Sequence, residues 1–578
     1  MVRSMKKKYI NSALAILAAS SIITMSASAE RSRYTVDELK GLRNYIHDLE
    51  KDAYGQDVNG DGAVNIFDMV FMRKNIDLIG DFTESEFYAS EKNVRYIGRN
   101  YYNDDIAWLV QSGSAIEFTV TGKSAELTLK GDASINNGAD YRPRYAVIVD
   151  DEIISDSTMN EAFTTVKLFS SDTVKTSKVK VIHLSEANNG AVGVASIKVN
   201  SNFLTPISPT NPKKLQIEFI GDSITCAYGV EGASQNESFK TITENFMKSY
   251  AYLTARKLDA DYSAVSYSGH GIISGYTSDG KINTDSLVPA YYEQIGSYDE
   301  YSKPWDFTKR PNDVVVINLG TNDCTYVDKD IDVRGKEFAE GYTEFLKTVR
   351  KNNPDAYIIC TLGTMGCNQL YPYIEHAIED FKDETGDQRV SSYESATQLQ
   401  SDGYGSDWHP SPVTQQKSAY VLADKICKAI GIESDEIGLD MAADAEYSLS
   451  TNSESGANAW PYFSDYDRSF NINITDGGDD PSDVEAIVSP VKIQKDSKYR
   501  LTFNCTGVLD ADIPVIIRNS NKTEVYFSGI LEKSEDQSSF SEEFIVSLTD
   551  EDAELVLQIG GEGSRNITIR SLRLEKIE

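Results

Sequence analysis

Alternating apolar and polar residues recur at strand length between residues 83 and 207. Clear examples are the runs 116–120, 125–129, 145–149 and 179–183, and turns rich in Gly, Asn and Ser separate them. Alternation with a period of two is typical of strands that bury one face. This region is therefore predicted to be all-β and to form a β-sandwich.

Residues 208–433 follow a different pattern, in which short apolar runs alternate with stretches at helical spacing. Buried strands are predicted for four apolar runs, 217–220, 262–267, 313–319 and 356–362. Helices are predicted between and after them, at 249–258, 338–349, 373–381 and 413–430. This alternation predicts a three-layer α/β domain with a parallel sheet.

The strand-like alternation returns in residues 438–578, for example at 498–503 and 566–570, and predicts a second β-sandwich. Four aromatic residues stand near its start: Trp460, Tyr462, Phe463 and Tyr466. The region weakly resembles the sandwich-type carbohydrate-binding modules. Aromatic side chains stack on sugar faces or fill a hydrophobic core, and the sequence favours neither interpretation.

Residues 1–29 are predicted to be a secretory signal peptide. Arg3 and three lysines precede the apolar run 13–25 and the small-residue cleavage site 27–29. A membrane anchor is the alternative, but the run is short for a bilayer span and ends at that site. The protein is therefore expected to be secreted and extracellular, with no membrane partner.

Composition constrains the partners further. The formal net charge is −33, and so acidic a surface repels phosphate backbones, which argues against nucleic acid and anionic lipid. It also disfavours a polyanionic substrate such as pectin. The six cysteines form no CxxC pair and no recognisable disulfide framework.

Residues 57–68 have the oxygen-rich spacing of an EF-hand-type calcium loop, with Gly62 at the sharp turn. The loop leads into a helix predicted at 69–76. The candidate calcium ligands are Asp57, Asn59, Asp61, Ala63 (through its carbonyl), Asn65 and Asp68.

An ordinary EF-hand loop ends in glutamate, whereas this one ends in aspartate, and that variant resembles the dockerins of cellulosomal enzymes. Residues 30–82 are accordingly predicted to form a small α-helical dockerin-like module. The resemblance implies structural calcium and, as partner, a cohesin of a scaffoldin protein. Dockerins usually carry two loop–helix units, but here the first loop would fall in the signal peptide. One or two calcium ions, or a lone structural calcium loop, therefore stay open as alternatives.

Ser223 follows the predicted strand 217–220 directly, within Gly-Asp-Ser. A serine on a tight turn at the carboxyl end of a strand exposes its hydroxyl where α/β folds place reactive groups. Three further blocks follow in order: Gly269, then Asn322 within Gly-Thr-Asn-Asp, then His409 within Asp-Trp-His-Pro. These four blocks resemble those of the SGNH (GDSL-type) hydrolases.

With the β-rich region in front, residues 90–432 resemble the family 2 carbohydrate esterases, which join a jelly-roll domain to an SGNH domain. Together with the patterns above, this predicts a multidomain chain: signal peptide 1–29, dockerin-like module 30–82, jelly roll 83–207, SGNH domain 208–433 and β-sandwich 438–578. The esterase resemblance implies an acetyl esterase that acts on acetylated plant polysaccharides such as xylan or glucomannan, and the dockerin resemblance implies that it is cellulosome-associated. The chemistry needs no cofactor.

Ester hydrolysis requires a nucleophile, a base and donors for the oxyanion. The resemblance assigns these roles to Ser223 and to His409, and it assigns the oxyanion hole to the backbone N–H groups of Ser223 and Gly269 and the amide of Asn322. His270 is the rival base among the five histidines, and it is expected to contact substrate instead.

Trp408 and Tyr326 flank these blocks and are candidate stacking surfaces for a sugar ring, with a core role as the alternative.

The sequence leaves open which group orients His409. In most SGNH enzymes, an aspartate three residues before the histidine does so. Here that position is Ser406, and Asp407 stands two residues before His409. The shift changes the direction of the side chain, so a backbone carbonyl could orient the imidazole and leave a Ser–His dyad. We expect the weaker role for Asp407.

Two other functions stay open at this point. One is another SGNH esterase, such as a lipase or a rhamnogalacturonan acetylesterase. The other is a polysaccharide-binding protein with an inactive hydrolase domain, against which stands the presence of all four blocks.

Overall fold

The structure, a computed structural model, describes residues 34–46, 57–58, 63–74, 76–432, 440–442, 445–464, 469–534, 537–561 and 563–577. The chain divides into two units. One contains residues up to 84 together with 200–206, and the other contains residues 85–199 and 207 onward.

The first unit contains two helices that pack through Leu42 and Met72. Its elements are β1 (Tyr34–Thr35), α1 (Val36–Ile46), α2 (Ile66–Lys74) and most of β2 (Ile76–Phe87). The sequence predicted a small α-helical module over residues 30–82, and the structure adds a strand to its helices, because Ile76 begins β2, which runs through residue 82. The β-branched and aromatic residues of this segment favour a strand over a continued helix.

The β-rich region of the second unit forms one hydrogen-bonded sheet, in which strands run in the order β10-β6-β9-β7-β8. Its strands are β3 (Arg95–Ile97), β4 (Asn100–Asn103), β5 (Ile106–Leu109), β6 (Ala115–Gly131), β7 (Arg144–Val149), β8 (Glu152–Thr158), β9 (Phe163–His183), β10 (Val192–Phe203) and β11 (Ile207–Pro209). Two separate sheets were expected of a sandwich. Instead, β6 and β9 pair along most of their length, with register shifts near Gly122 and Ala125. Such shifts bend a strand, so that one long pair can enclose the core that two sheets would share.

The α/β domain has the predicted parallel sheet, with strand order β13-β12-β14-β15-β16. Its strands are β12 (Leu215–Gly221), β13 (Ala260–Ser266), β14 (Val314–Asn318), β15 (Tyr357–Leu362) and β16 (Val390–Glu394). Its helices are α3 (Ser223–Cys226), α4 (Tyr250–Lys257), α5 (Thr321–Val327), α6 (Ile331–Asn352), α7 (Tyr371–Thr385) and α8 (Pro412–Ile430). Apolar clusters on both faces of the sheet bury its strands, as the continuous apolar runs require.

The C-terminal region contains two five-stranded antiparallel sheets, β17-β20-β25-β22-β23 and β18-β19-β26-β21-β24, around one apolar core. Its strands are β17 (Glu446–Thr451), β18 (Asn458–Ser464), β19 (Ser469–Asp476), β20 (Val484–Ile493), β21 (Lys498–Thr506), β22 (Ile513–Arg518), β23 (Val525–Leu531), β24 (Gln537–Ile545), β25 (Asp550–Gln558) and β26 (Arg565–Lys576). Of the four early aromatics, Phe463 stacks on Tyr447 next to the core, with ring centroids 4.6 Å apart. Tyr466 lies outside the described residues.

Among the described residues, no helix is long and apolar enough to cross a membrane. No disulfide joins any of the six cysteines, all of which lie among the described residues; five are buried and Cys367 is half-buried.

Candidate active site

Ser223 is the first residue of α3, and a single residue, Asp222, separates it from the end of β12. The turn is tight, because a Cβ on Gly221 would lie 2.0 Å from Oγ1 of Thr225. The side chain of Asp222 caps the helix by accepting the N–H of Ile224 at 3.0 Å. This strand–turn–helix geometry places the Ser223 hydroxyl at the carboxyl edge of the sheet.

His409 lies beside that hydroxyl, with its Nε2 2.8 Å from the Ser223 Oγ. Burial lowers the pKa of His409 from 6.5 to about 4, although hydrogen bonds to backbone carbonyls act in the opposite direction. The imidazole is therefore neutral near pH 7, which is the state a general base requires.

The backbone, and not a carboxylate, orients this imidazole. Its Nδ1 lies 3.2 Å from the carbonyl oxygens of both Ser406 and Asp407. Asp407 and Trp408 both adopt left-handed backbone conformations, with φ of 50° and 65°, and two such non-glycine residues in succession are strained. The resulting turn brings two carbonyl groups to one nitrogen, and the pair has the geometry of a Ser–His dyad.

The Asp407 carboxylate makes contacts elsewhere. Its Oδ2 accepts the hydroxyl of Tyr228 at 2.9 Å and the N–H of Phe239 at 3.2 Å. The Tyr228 ring stacks on Phe239 and also packs on His409, with ring centroids 4.1 Å and 4.2 Å apart. Asp407 thus holds the ring that covers one face of the base. No local pattern in the sequence predicts this role for Tyr228, which comes from a contact 179 residues distant.

The three predicted oxyanion donors follow the carboxyl ends of adjacent strands. Gly221 of β12 is paired with Ser266 of β13 and with Asn318 of β14, so that Ser223, Gly269 and Asn322 come two, three and four residues later. This register brings them to one edge of the sheet.

The N–H of Gly269 donates to no acceptor among the described residues. Gly269 has a φ of 77°, and a Cβ there would meet nothing within 4 Å, so its backbone is open to an incoming group. The Asn322 amide donates two hydrogen bonds, the first to the carbonyl of His270 at 2.8 Å and the second to Oδ2 of Asp222 at 3.3 Å. That first contact ties Asn322 to the loop that carries Gly269.

Asp323, buried at the start of α5, anchors the same loop. Its carboxylate accepts the backbone N–H groups of Ile272, Ile273 and Ser274 at 3.0, 2.8 and 3.0 Å. In the sequence, Asp323 is visible only as the last residue of the Gly-Thr-Asn-Asp block, and no function was predicted for it. Its position next to Asn322 was the one feature of the sequence that could have indicated a role at the site.

The predicted substrate-contacting residues divide into two groups. The Trp408 side chain is 55% exposed and adjoins Tyr404, and His270 lies on the Gly269 loop, where its Nδ1 contacts the carbonyl of Ser268 at 3.0 Å. Tyr326, in contrast, contacts the next helix: Arg334 lies over its ring at 4.1 Å, and its hydroxyl donates to Glu337. These contacts hold the ring against α6, and a role of Tyr326 in stacking on a sugar stays a prediction.

Four of the six predicted calcium ligands are among the described residues, and Asn59 and Asp61 lie outside them. Asp68 is buried, and its two carboxylate oxygens accept the N–H groups of Val58 and Asn65, each at 2.8 Å. These contacts bring the two ends of the loop together. Carboxylate, amide and carbonyl oxygens are the donors that calcium prefers, so the residues present fit this ion.

Two protein families match this chain. Residues 219–417 match the GDSL-like Lipase/Acylhydrolase family, and residues 96–207 match the Carbohydrate esterase 2 N-terminal family. The two matches meet at the boundary between the β-rich region and the α/β domain.

The similar proteins are GDSL-type carbohydrate esterases. The cellulase/esterase CelE of Acetivibrio thermocellus is 34% identical over 348 residues, and the match covers 58% of this chain and 40% of CelE. An acetylxylan esterase / glucomannan deacetylase of Cellvibrio japonicus is 27% identical over 277 residues, which are 48% of this chain and 73% of that protein. This chain therefore matches less than half the length of CelE.

A solved structure extends the comparison to three dimensions. The family two carbohydrate esterase of Clostridium thermocellum in complex with cellohexaose superimposes with a TM-score of 0.51 at 32% identity, over 58% of this chain and 99% of that one. The Ser–His pair and the two family matches are those of a serine esterase. Through its N-terminal β-rich domain and the GDSL-like domain that follows, the chain belongs to carbohydrate esterase family 2.

Proposed function

We propose that this protein removes O-acetyl groups from plant cell-wall polysaccharides, with xylan or glucomannan as the substrate. The 2.8 Å contact between Ser223 Oγ and a neutral His409 carries this proposal, at an edge where the Gly269 N–H meets no acceptor among the described residues. The substrate class is supported by the Cellvibrio japonicus relative, which is an acetylxylan esterase / glucomannan deacetylase.

The geometry supports a two-step mechanism. Ser223 Oγ attacks the acetyl carbonyl carbon while His409 Nε2 takes the hydroxyl proton, and the N–H groups of Ser223 and Gly269 and the Asn322 amide stabilise the oxyanion. The C–O bond to the sugar then breaks, and the sugar oxygen receives the proton from His409. Water then attacks the acetyl-serine carbonyl carbon while His409 takes its proton; the bond from that carbon to Ser223 Oγ breaks, Oγ receives the proton from His409, and acetate leaves.

Acetate release from acetylated xylan and glucomannan tests the proposal. The wild-type chain should release acetate from at least one of them, and faster than it hydrolyses pectin or lipid esters. Ser223→Ala should abolish the release, whereas Ser448→Ala, at an exposed serine of β17, should not alter it. Equal rates for wild type and Ser223→Ala would contradict the proposal.

Secretion is part of the same proposal. The basic, apolar and small-residue segments of residues 1–29, which lie outside the described residues, support export and cleavage after Ala29. N-terminal sequencing of the exported protein should begin at Glu30. Recovery of the protein only inside the cell, with Met1 retained, would contradict export.

Calcium binding and cohesin binding by residues 30–82 complete the proposed assembly on a cellulosome scaffold. The ligand spacing from Asp57 to Asp68 supports both. Calorimetry of the full chain should detect calcium uptake that Asp57→Ala weakens and that Asp285→Asn, at an exposed aspartate of the hydrolase domain, leaves unchanged. A chain that takes up no calcium would exclude the calcium-dependent cohesin partner.

The C-terminal domain is proposed to bind sugar through Trp460 and Tyr462. They are two residues apart on the edge strand β18, and therefore on one face, and are 52% and 68% exposed. Trp460→Ala should weaken retention on insoluble xylan or cellulose, whereas Val525→Ala, an exposed apolar residue of the other sheet, should not. Equal retention of both variants would contradict the proposal.

A further inference from the structure

Glu186 lies in the turn after β9, in the N-terminal β-rich domain, yet its carboxylate is buried against the hydrolase domain. It is 4% exposed. Its Oε2 accepts the backbone N–H of Ser268 at 2.8 Å and the Nδ2 group of Asn188 at 3.3 Å. Ser268 is the residue directly before Gly269, so this carboxylate holds the peptide next to a proposed oxyanion donor.

The loop that carries Gly269 is therefore fixed from two domains. On the hydrolase side, Asp323 accepts the three N–H groups that begin at Ile272. On the other side, Glu186 accepts the N–H of Ser268. The backbone angles of the loop between these two anchors depend on both of them. The direction of the Gly269 N–H therefore depends on both anchors as well.

Glu186 is itself held by the hydrolase domain. Its backbone N–H donates to Oε2 of Glu244 at 3.0 Å, and two residues earlier the Leu184 carbonyl accepts the N–H of Phe246 at 2.9 Å. Glu244 is fully buried, and its Oε1 meets no hydrogen-bond partner within the described part of the chain. The thiol of Cys226, one turn after the nucleophile, completes a cluster whose ligand atoms lie within 4.8 Å of one another.

Two buried carboxyl groups this close cannot both be ionised at low cost. Burial raises the pKa of both, and the charge of Glu186 raises the pKa of Glu244 further. An oxygen of Glu186 accepts the Ser268 N–H in either protonation state, so the contact does not depend on which group carries the proton.

We propose that Glu186 is a positioning residue for the oxyanion hole, by which the N-terminal domain completes the hydrolase site. It acts through Ser268 and Gly269 and does not touch substrate. The inference rests on the proposed esterase function. It accounts for the buried contact between Glu186 and the Ser268 N–H as part of the active-site scaffold, and it makes the hydrolase domain incomplete without its N-terminal neighbour.

Kinetics of the full chain on a small acetyl ester test this role. Glu186→Ala removes the acceptor and should lower kcat about 10- to 100-fold with KM nearly unchanged, somewhat less than the loss of a direct oxyanion donor. Glu186→Gln keeps a carbonyl oxygen for the Ser268 N–H and should recover most of the kcat. The matched control Glu152→Ala, at an exposed glutamate of β8, should behave like wild type.

Binding of a boronic acid, which forms a tetrahedral adduct on Ser223, adds a readout that loss of stability alone would not move. In the folded Glu186→Ala protein its affinity should fall in parallel with kcat, while thermal unfolding confirms that the chain is folded. An active wild type with an equally active Glu186→Ala would overturn the inference and leave the esterase proposal intact, whereas an inactive wild type would overturn the esterase proposal. One tightly held zinc ion per wild-type chain that Glu186→Gln loses would also overturn the inference, because the cluster would then be a metal site.

Discussion

The imidazole of His409 makes three kinds of contact, and each has a different consequence for substitution. Its Nε2 meets Ser223, its Nδ1 lies between two backbone carbonyls, and its face packs on Tyr228. The first contact is the one through which the proton of Ser223 is transferred. The second depends on backbone conformation and the third on packing, so side-chain substitutions at 228 and 407 act on the base only indirectly.

The first prediction concerns the catalytic pair. Ser223→Ala and His409→Ala should each lower kcat by roughly 10⁴-fold or more, because the two groups act as one unit. The double variant should be no worse than either single variant. Initial rates on a small acetyl ester check this, and additive losses in the double variant would contradict a shared role.

The second prediction separates Asp407 from a triad aspartate. Asp407→Ala removes the acceptor of the Tyr228 hydroxyl but not the backbone carbonyl at His409, so kcat should fall about 10-fold or less, against about 10⁴-fold for a true triad aspartate. Tyr228→Phe should cause a similar, small loss.

Both substitutions break the same contact, the hydrogen bond from the Tyr228 hydroxyl to Asp407. The kcat of the double variant Tyr228→Phe/Asp407→Ala should therefore be little lower than that of Asp407→Ala alone. A matched control is Asp285→Asn in the same domain. Losses from Asp407→Ala that equal those from His409→Ala, with an unchanged circular dichroism spectrum, would make Asp407 a full triad member.

The third prediction concerns the acid limb of the pH profile of kcat/KM. Because burial lowers the pKa of His409 from 6.5 to about 4, the base stays neutral as the pH falls below 6.5. The value of kcat/KM should accordingly hold at pH values well below 6.5 and fall only towards about 4. An acid limb centred at or above 6.5 would contradict the burial of the base.

Stability changes in the same pH range and must be separated from protonation of the base. Below pH 6.5 the unfolded chain takes up a proton at His409 that the folded chain does not, so this residue's contribution to stability falls from 6.5 towards about 4. Recovery of full activity after return to neutral pH distinguishes reversible protonation from acid unfolding.

At the scale of elements, the sequence predicts the α/β domain closely and the β-rich domain less well. The apolar runs at 217–220 and 313–319 lie within or around β12 (Leu215–Gly221) and β14 (Val314–Asn318), because a strand buried on both faces has a continuous apolar signal. Alternation identified the strands of the N-terminal domain, but it carries no information on whether their hydrogen bonds form one sheet or two.

The same limit applies to the site. Ser223, Gly269, Asn322 and His409 could be found because each has a local motif, and the structure brings the four to one sheet edge. Glu186 and Tyr228 have none: each acts through a partner more than 80 residues away, Ser268 and Asp407 respectively. Their contacts are set by tertiary packing, which no short pattern encodes.

The fourth prediction concerns the turn between β12 and α3. Gly221→Ala places a methyl group 2.0 Å from the Thr225 hydroxyl, so the start of α3 must move and displace Ser223. A shift of about 1 Å lowers the rate by roughly 100-fold, and kcat should fall by that order. Gly138→Ala is the control, since a Cβ there meets its nearest atom at an ordinary 3.7 Å; equal kcat values for the two variants would contradict the prediction.

At the scale of the whole molecule, buried charges join the C-terminal domain to the hydrolase domain. Arg573 of β26 is 4% exposed and lies 3.2 Å from Asp424 of α8 and 2.5 Å from Asp440. Nearby, Lys257 of α4 pairs with Glu575 at 2.6 Å. Removal of one member of such a network leaves a buried charge without that partner. The free energy of unfolding therefore falls by more than it does when a surface pair is broken.

The fifth prediction follows from this network. Arg573→Ala should lower the free energy of unfolding of the joined domains by about 3–5 kcal/mol, because it leaves two carboxylates without their cation. Arg500→Ala, which breaks an exposed pair with Glu543, should cost about 1 kcal/mol or less. Calorimetry of the full chain compares the two, and equal shifts in the unfolding transition would contradict a buried interface.

The left-handed turn at Asp407 and Trp408 also bears on how such enzymes tolerate acid and sequence drift. An orienting carboxylate can be protonated as the medium acidifies, and a single substitution can delete it. A peptide carbonyl does not titrate in this range, and every residue type has one. The alignment of His409 should therefore survive both a falling pH and replacement of the residue at 407, at least cost where the new residue readily accepts a positive φ, as asparagine and glycine do. In such a chain, the lack of an aspartate three residues before the histidine is no sign of lost activity.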